Sequence, residues 1–154
     1  MAETTEQQII TFRLGSETYG LQIGSVREIV TWKPFTRLPG QNGLVEGMID
    51  LRGRVIPVIN LGKQFGLGST EANRDTRYVI VDVAGHLLGL SVDAVEEVAR
   101  ISADQIAPPD KSWTRDRQGF ITGIARLGER LVIVVDMDRF LQDSVAELNL
   151  SHTH

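Results

Sequence analysis

The residues that could carry chemistry are few and scattered. The chain of 154 residues has three histidines and no cysteine, which removes disulfides, thiolate nucleophiles and zinc–cysteine sites. His86 falls in a predicted turn and His152 and His154 in the C-terminal tail. None stands in a serine–carboxylate pattern that would build a catalytic triad. Gly62 to Gly68 is glycine-rich but lacks the lysine followed by a hydroxyl residue that completes a phosphate loop. Asn149-Leu150-Ser151 is a formal glycosylation sequon without meaning in a cytosolic chain. The expectation is no catalytic residue, no metal site and no cofactor.

What remains is recognition chemistry. Arg52-Gly53-Arg54 places two guanidiniums at the tip of a predicted hairpin, between the apolar runs of Gly47–Leu51 and Val55–Leu61. Gly53 can take the positive φ such a turn needs. The phrase then returns. Gly43, Gly47, Leu51, Arg54 and Val58 recur without a gap as Gly119, Gly123, Leu127, Arg130 and Val134. Gly20-Leu21 and Ile23 likewise recur as Gly89-Leu90 and Val92, and Val26, Glu28 and Ile29 as Val95, Glu97 and Val98. The sequence is a duplication.

The elements that position these residues are mostly short strands. Ile9–Leu14 and Tyr19–Ile23 read as a hairpin around Gly15-Ser16-Glu17, whereas Val26–Val30 fits either a strand or a helical turn. Trp32–Gly40 is a proline-broken connection. Pro57 cannot donate to a ladder and belongs at an edge, a bulge or a non-bonding position, while the second repeat has Ile133 there. Gly62–Asp75 reads as the link between halves, with a helical turn at Lys63-Gln64-Phe65. Arg77–Val83 suits a strand buried on both faces, and Leu87–Val92 is its partner. Ser102–Ile106 reads as a capped helical turn and Lys111–Gln118 as a polar loop. A helix runs from Asp136 through Leu148, with Met137, Phe140, Leu141, Val145 and Leu148 on one stripe.

Bulk properties bound the function. A hydrophobic content of 42% supports a packed core, and a net charge of −4 opposes a nucleic-acid surface, which needs a clustered basic face. No apolar run reaches the ~20 residues of a membrane helix. The predicted fold is all-β with short helices: two small barrels of similar topology, at about 9–68 and about 76–141, with 1–8 and 149–154 as tails. Each half is marginal for an independent core, so the barrels are expected to share a buried interface.

Tyr19–Ile23, Val26-Arg27-Glu28-Ile29 and Gly47–Leu61, with its Leu-Arg-Gly and Ile-Pro-Val-Ile-Asn-Leu, resemble the CheW family of bacterial chemotaxis coupling proteins. Tyr78–Val83, Gly89–Asp93 and Ile106-Ala107-Pro108 resemble its second half, so the likeness covers about Ile9 to Leu141. It implies two SH3-like five-stranded barrels with a hydrophobic groove between them. It also implies a non-enzymatic adaptor joining the cytoplasmic tips of methyl-accepting chemoreceptors to the regulatory domain of the histidine kinase CheA. Such a protein is cytoplasmic and meets the membrane only through receptor clusters.

Carried over by position, the receptor-contacting residues are Val26, Glu28, Gly47 and Arg52, with Glu28 and Arg52 as an ion pair. The kinase-contacting residues are Val95 and Gly123. Trp32 and Trp113 match no family feature. The other readings open to a small-barrel chain are a scaffold of a non-flagellar chemosensory pathway, a nucleic-acid-binding module or a hydrolase. The last lacks any nucleophile–base pair.

Overall fold

The computed structural model describes residues 6–37, 43–67, 71–109 and 120–141. Eleven strands run in chain order: β1 (Glu6–Leu14), β2 (Glu17–Gln22), β3 (Val26–Thr31), β4 (Val45–Leu51), β5 (Arg54–Asn60), β6 (Arg77–Val83), β7 (His86–Val92), β8 (Ala94–Ser102), β9 (Ile106–Ala107), β10 (Ile121–Leu127) and β11 (Arg130–Val135). A short helix α1 (Leu61–Gln64) follows β5, capped by the Asn60 side chain, which accepts from the Lys63 amide. A second helix, α2, occupies 137–141. The expected continuation to Leu148, the loop around Trp113 and the terminal histidines lie outside the described residues. The ambiguous Val26–Val30 is a strand with one bulge, between Val26 and Glu28.

The strands form two sheets, of order β8-β1-β2-β11-β10-β9 and β3-β6-β7-β5-β4. This corrects the expected boundaries, because neither sheet is built from 9–68 or from 76–141 alone. The first takes β1 and β2 from repeat one and β8 to β11 from repeat two; the second makes the reciprocal choice. Two parallel pairings carry the exchange: Val58 beside Gly89, and its repeat mate Val134 beside Gly20. A hairpin needs only a partner of matching pattern, and in a duplicated chain the other repeat supplies one.

Burial follows from the same exchange. The second sheet encloses Ile49, Ile56, Val58, Tyr78 and Ile80, and the first encloses Ile9, Ile101, Ala125, Val132 and Val134. Between the sheets lies a shared core of fifteen buried side chains among the described residues, including Phe12, Leu21, Ile59, Val81, Leu90 and Met137. At about 1.5–3 kcal/mol per fully buried large apolar side chain, the shared core outweighs either private one. The expected buried interface between barrels is the dominant packing feature. An aromatic cluster closes one end of it: Phe65 after α1 stacks on Phe120 at 5.4 Å and meets Phe140 of α2 edge-on at 5.0 Å.

Pro57 sets the two sheets apart. The parallel ladder between β11 and β2 covers Val132 to Val134, whereas that between β5 and β7 begins only at Val58. Pro57 has no N–H to offer, in line with its expected non-bonding place. Below Val58 the two strands lie unpaired with each other, although β4 and β6 still hold their outer edges.

Gly47 and Gly123 are equivalent bulge glycines, both buried, each lying under a crossing segment. A Cβ on Gly47 would sit 2.4 Å from the Thr36 carbonyl oxygen, and one on Gly123 would sit 2.3 Å from the Ile106 Cγ2 and 3.0 Å from the Ala107 oxygen. Backbone cannot step aside as readily as a methyl group. Gly47→Ala is therefore expected to cost about 1–3 kcal/mol, more than Gly123→Ala, in denaturant unfolding. A neutral Gly47→Ala would contradict this packing.

Candidate functional site

The hairpin tip between β4 and β5 is a two-residue turn in which both central residues have positive φ, 52° at Arg52 and 85° at Gly53. That is the type I′ geometry that matches strand twist. Asp50 fixes it by accepting from the Gly53 amide at 2.8 Å. Arg52 thus adopts a left-handed conformation unusual for a non-glycine residue, which sends its side chain across the open end of the second sheet. There it donates to the Glu28 carboxylate on β3. In the second repeat Gly128 stands in place of Arg52, so this arrangement occurs once.

Around the pair lies an open groove of about 490 Å³, at the mouth of the second sheet where β5 and β7 have parted. Leu51, Ile56, Ile80 and Leu87 form its floor, and Arg27, Glu28, Arg52, Arg54 and Asp82 its rim. Arg27 donates to Asp82 at 2.7 Å. The rim is amphipathic, apolar below and charged above, as suits a protein contact. No helix among the described residues is long and apolar enough to cross a membrane.

The sequence-derived residues separate in space. Glu28 and Arg52 meet at the groove, and the expected ion pair forms. Val26, on the same strand, is half-buried and packs against the shared core, as does its repeat mate Val95. Gly47 lies beneath Phe35 and Thr36, and Gly123 beneath Ile106 and Ala107. Trp32 packs against the private core of the second sheet. Sequence reasoning missed Arg27, Asp82 and Arg54. The first two are 55 positions apart, and nothing in the pattern signals a pair at that separation. Arg54 was legible as the second guanidinium of the turn.

The Arg52 hydrogen bond, with its charge, lowers the Glu28 pKa below the ordinary glutamate value, against a smaller opposing effect of burial. A carboxylate with a lowered pKa contributes above the ordinary range, and the contribution is lost as pH falls through the lowered value. In an NMR titration Glu28 is expected to protonate at lower pH than exposed glutamates, and Arg52→Ala to move it back up. An unshifted Glu28 would show that the pair does not persist in solution.

Comparison with known proteins fits this geometry. A family model described as a CheW-like domain matches residues 8–145. The chain is 30% identical to a chemotaxis protein CheW of Klebsiella aerogenes over 99% of its own length and 93% of the relative. It is 34% identical to one from Treponema pallidum, over 90% of this chain and 85% of that protein. The crystal structure of the scaffolding protein TtCheW from Thermoanaerobacter tengcongensis superposes with a TM-score of 0.78 at 39% identity, covering 86% of this chain and 90% of the other. With a matching fold and a match along nearly its whole length, the chain belongs to the CheW family of chemotaxis scaffold proteins.

Proposed function

We propose that the chain is a non-catalytic chemotaxis adaptor that holds a chemoreceptor tip and the regulatory domain of the histidine kinase CheA at the same time. The observation that carries this reading is the groove at the mouth of the second sheet, with Glu28 and Arg52 paired at its rim and apolar side chains at its base. A receptor tip is a solvent-exposed protein surface, and a groove of this composition suits one. Exposed ion pairs add only ~0–1 kcal/mol, so the pair's contribution is orientation: the bonded guanidinium holds the turn against β3 and keeps the groove in shape.

Val26 and Gly47 belong to the same receptor-facing half in this proposal, acting through the backbone they shape. The kinase takes the first sheet, near Val95 and Gly123, where an equivalent but chemically different surface exists. Receptor and kinase then bind different sheets across one shared core. No cofactor, metal or nucleic acid takes part. The net charge of −4 leaves phosphates without a basic face. The adaptor is cytoplasmic and reaches the membrane only through receptor clusters.

Co-sedimentation with receptor-containing membranes and CheA tests the proposal. Wild type is expected in the pellet with both, and Arg52→Glu to lose receptor-dependent recovery by roughly tenfold with an unchanged circular dichroism spectrum. Absence of wild-type recovery with any receptor or chemosensory kinase of the same cell would overturn it.

A further inference from the structure

The duplication allows one arginine to be read against its own repeat mate. Arg130 opens β11 as Arg54 opens β5. At the mouth of the first sheet Arg130 reaches two consecutive carboxylates of β8, Glu96 at 3.3 Å and Glu97 at 3.1 Å. The residues equivalent to these on β3 are Arg27 and Glu28. One carboxylate has thus become a guanidinium, which turns to Asp82, and the other is held by Arg52. Arg54 consequently lines the groove without an ion-pair partner among the described residues.

From this we infer that Arg54 is a docking cation, and that the protein surface seated in this groove presents a carboxylate to it beside an apolar side chain. The inference rests on the reading of the groove as the receptor-docking site and adds what the partner must carry there. Three observations converge on a protein carboxylate. The mouth of the first sheet shows which groups a guanidinium at this strand position takes, and they are glutamates. The groove rim holds three guanidiniums against two carboxylates, leaving an uncompensated charge of one sign at Arg54. The floor of Leu51, Ile56, Ile80 and Leu87 accepts an apolar neighbour.

The floor also continues past Arg54. A second depression of about 180 Å³, between the parted ends of β5 and β7, shares Arg54, Ile56, Gly85 and Leu87 and reaches Val55, which is 68% exposed. A docked segment lying along this path would pass over Arg54 midway. A polyanionic lipid surface fits less well, because Glu28 and Asp82 flank the same rim and would repel it.

The test is calorimetric titration of the intact chain with soluble cytoplasmic-tip fragments of receptors from the same cell, at low and high salt. Variants are Arg54→Ala, Arg54→Lys, Arg54→Glu and Arg52→Glu, each checked by circular dichroism. Arg54→Ala is expected to weaken binding roughly five- to tenfold at low salt and to flatten the salt dependence. Arg54→Glu should weaken it further, and Arg54→Lys should retain most of it. Affinity for the CheA regulatory domain is expected to stay unchanged. Wild-type affinity in Arg54→Ala and Arg54→Glu, with Arg52→Glu impaired, would overturn the role of Arg54 and leave receptor docking intact. Wild-type affinity in all four variants would remove the docking reading and the inference with it. Arg54-dependent sedimentation with phosphatidylglycerol vesicles, without receptor binding, would assign the cation to lipid and overturn the protein-carboxylate claim.

Discussion

The structure depends on the two parallel strand pairs that cross between repeats. Val58 beside Gly89 and Val134 beside Gly20 place each N-terminal hairpin in the sheet whose other strands come from the opposite repeat. So placed, β1, β2, β6 and β7 supply most of the shared core, which Ile59, Leu61, Val135, Met137 and Leu141 complete. Among the described residues fifteen buried side chains lie there, against five in each private core, and they join the two sheets in one packed body. Neither sheet is drawn from one repeat alone. For the proposed adaptor the consequence would be mechanical: two binding surfaces would be held apart by packed side chains, which tolerate little continuous deformation.

Within this near-symmetric frame, function would arise from the places where the repeats diverge. Pro57 stands unpaired across the parallel seam where its repeat mate Ile133 is paired, so that ladder starts later along the strand and one mouth lies open. Arg52 in place of Gly128 supplies a guanidinium to the open mouth, at the expense of a left-handed backbone. Arg27 in place of Glu96 changes which groups at the rim are satisfied. Each is a single-residue difference at an equivalent position. Together they give two equivalent surfaces that differ in opening and in chemistry, a basis for telling two protein partners apart.

The sequence carried much of this and hid the rest for identifiable reasons. Glycines and apolar positions recur at fixed displacement, so the duplication and the β content were legible. The need for a shared interface followed from the short length of each half. The exchange of hairpins was not legible, because the two repeats obey one pattern and either could pair with either. The Glu28–Arg52 pair was reached through family positions, and the positive φ of Arg52 is dictated by the two-residue turn, which Gly53 hinted at but did not fix. Arg27–Asp82 depends on the register of β3 on β6, a tertiary fact without a local signal. Val26 and Val95 were read as contact residues, and each lies half-buried against the shared core.

The central claim is that one chain carries receptor and kinase together on opposite sheets. Sedimentation-velocity analysis of the chain mixed with a receptor-tip fragment and the CheA regulatory domain tests it most directly. The account predicts a single species containing all three proteins, formed in either order of addition. Mutual displacement, with each partner binding only in the absence of the other, would contradict it and place both contacts on one surface.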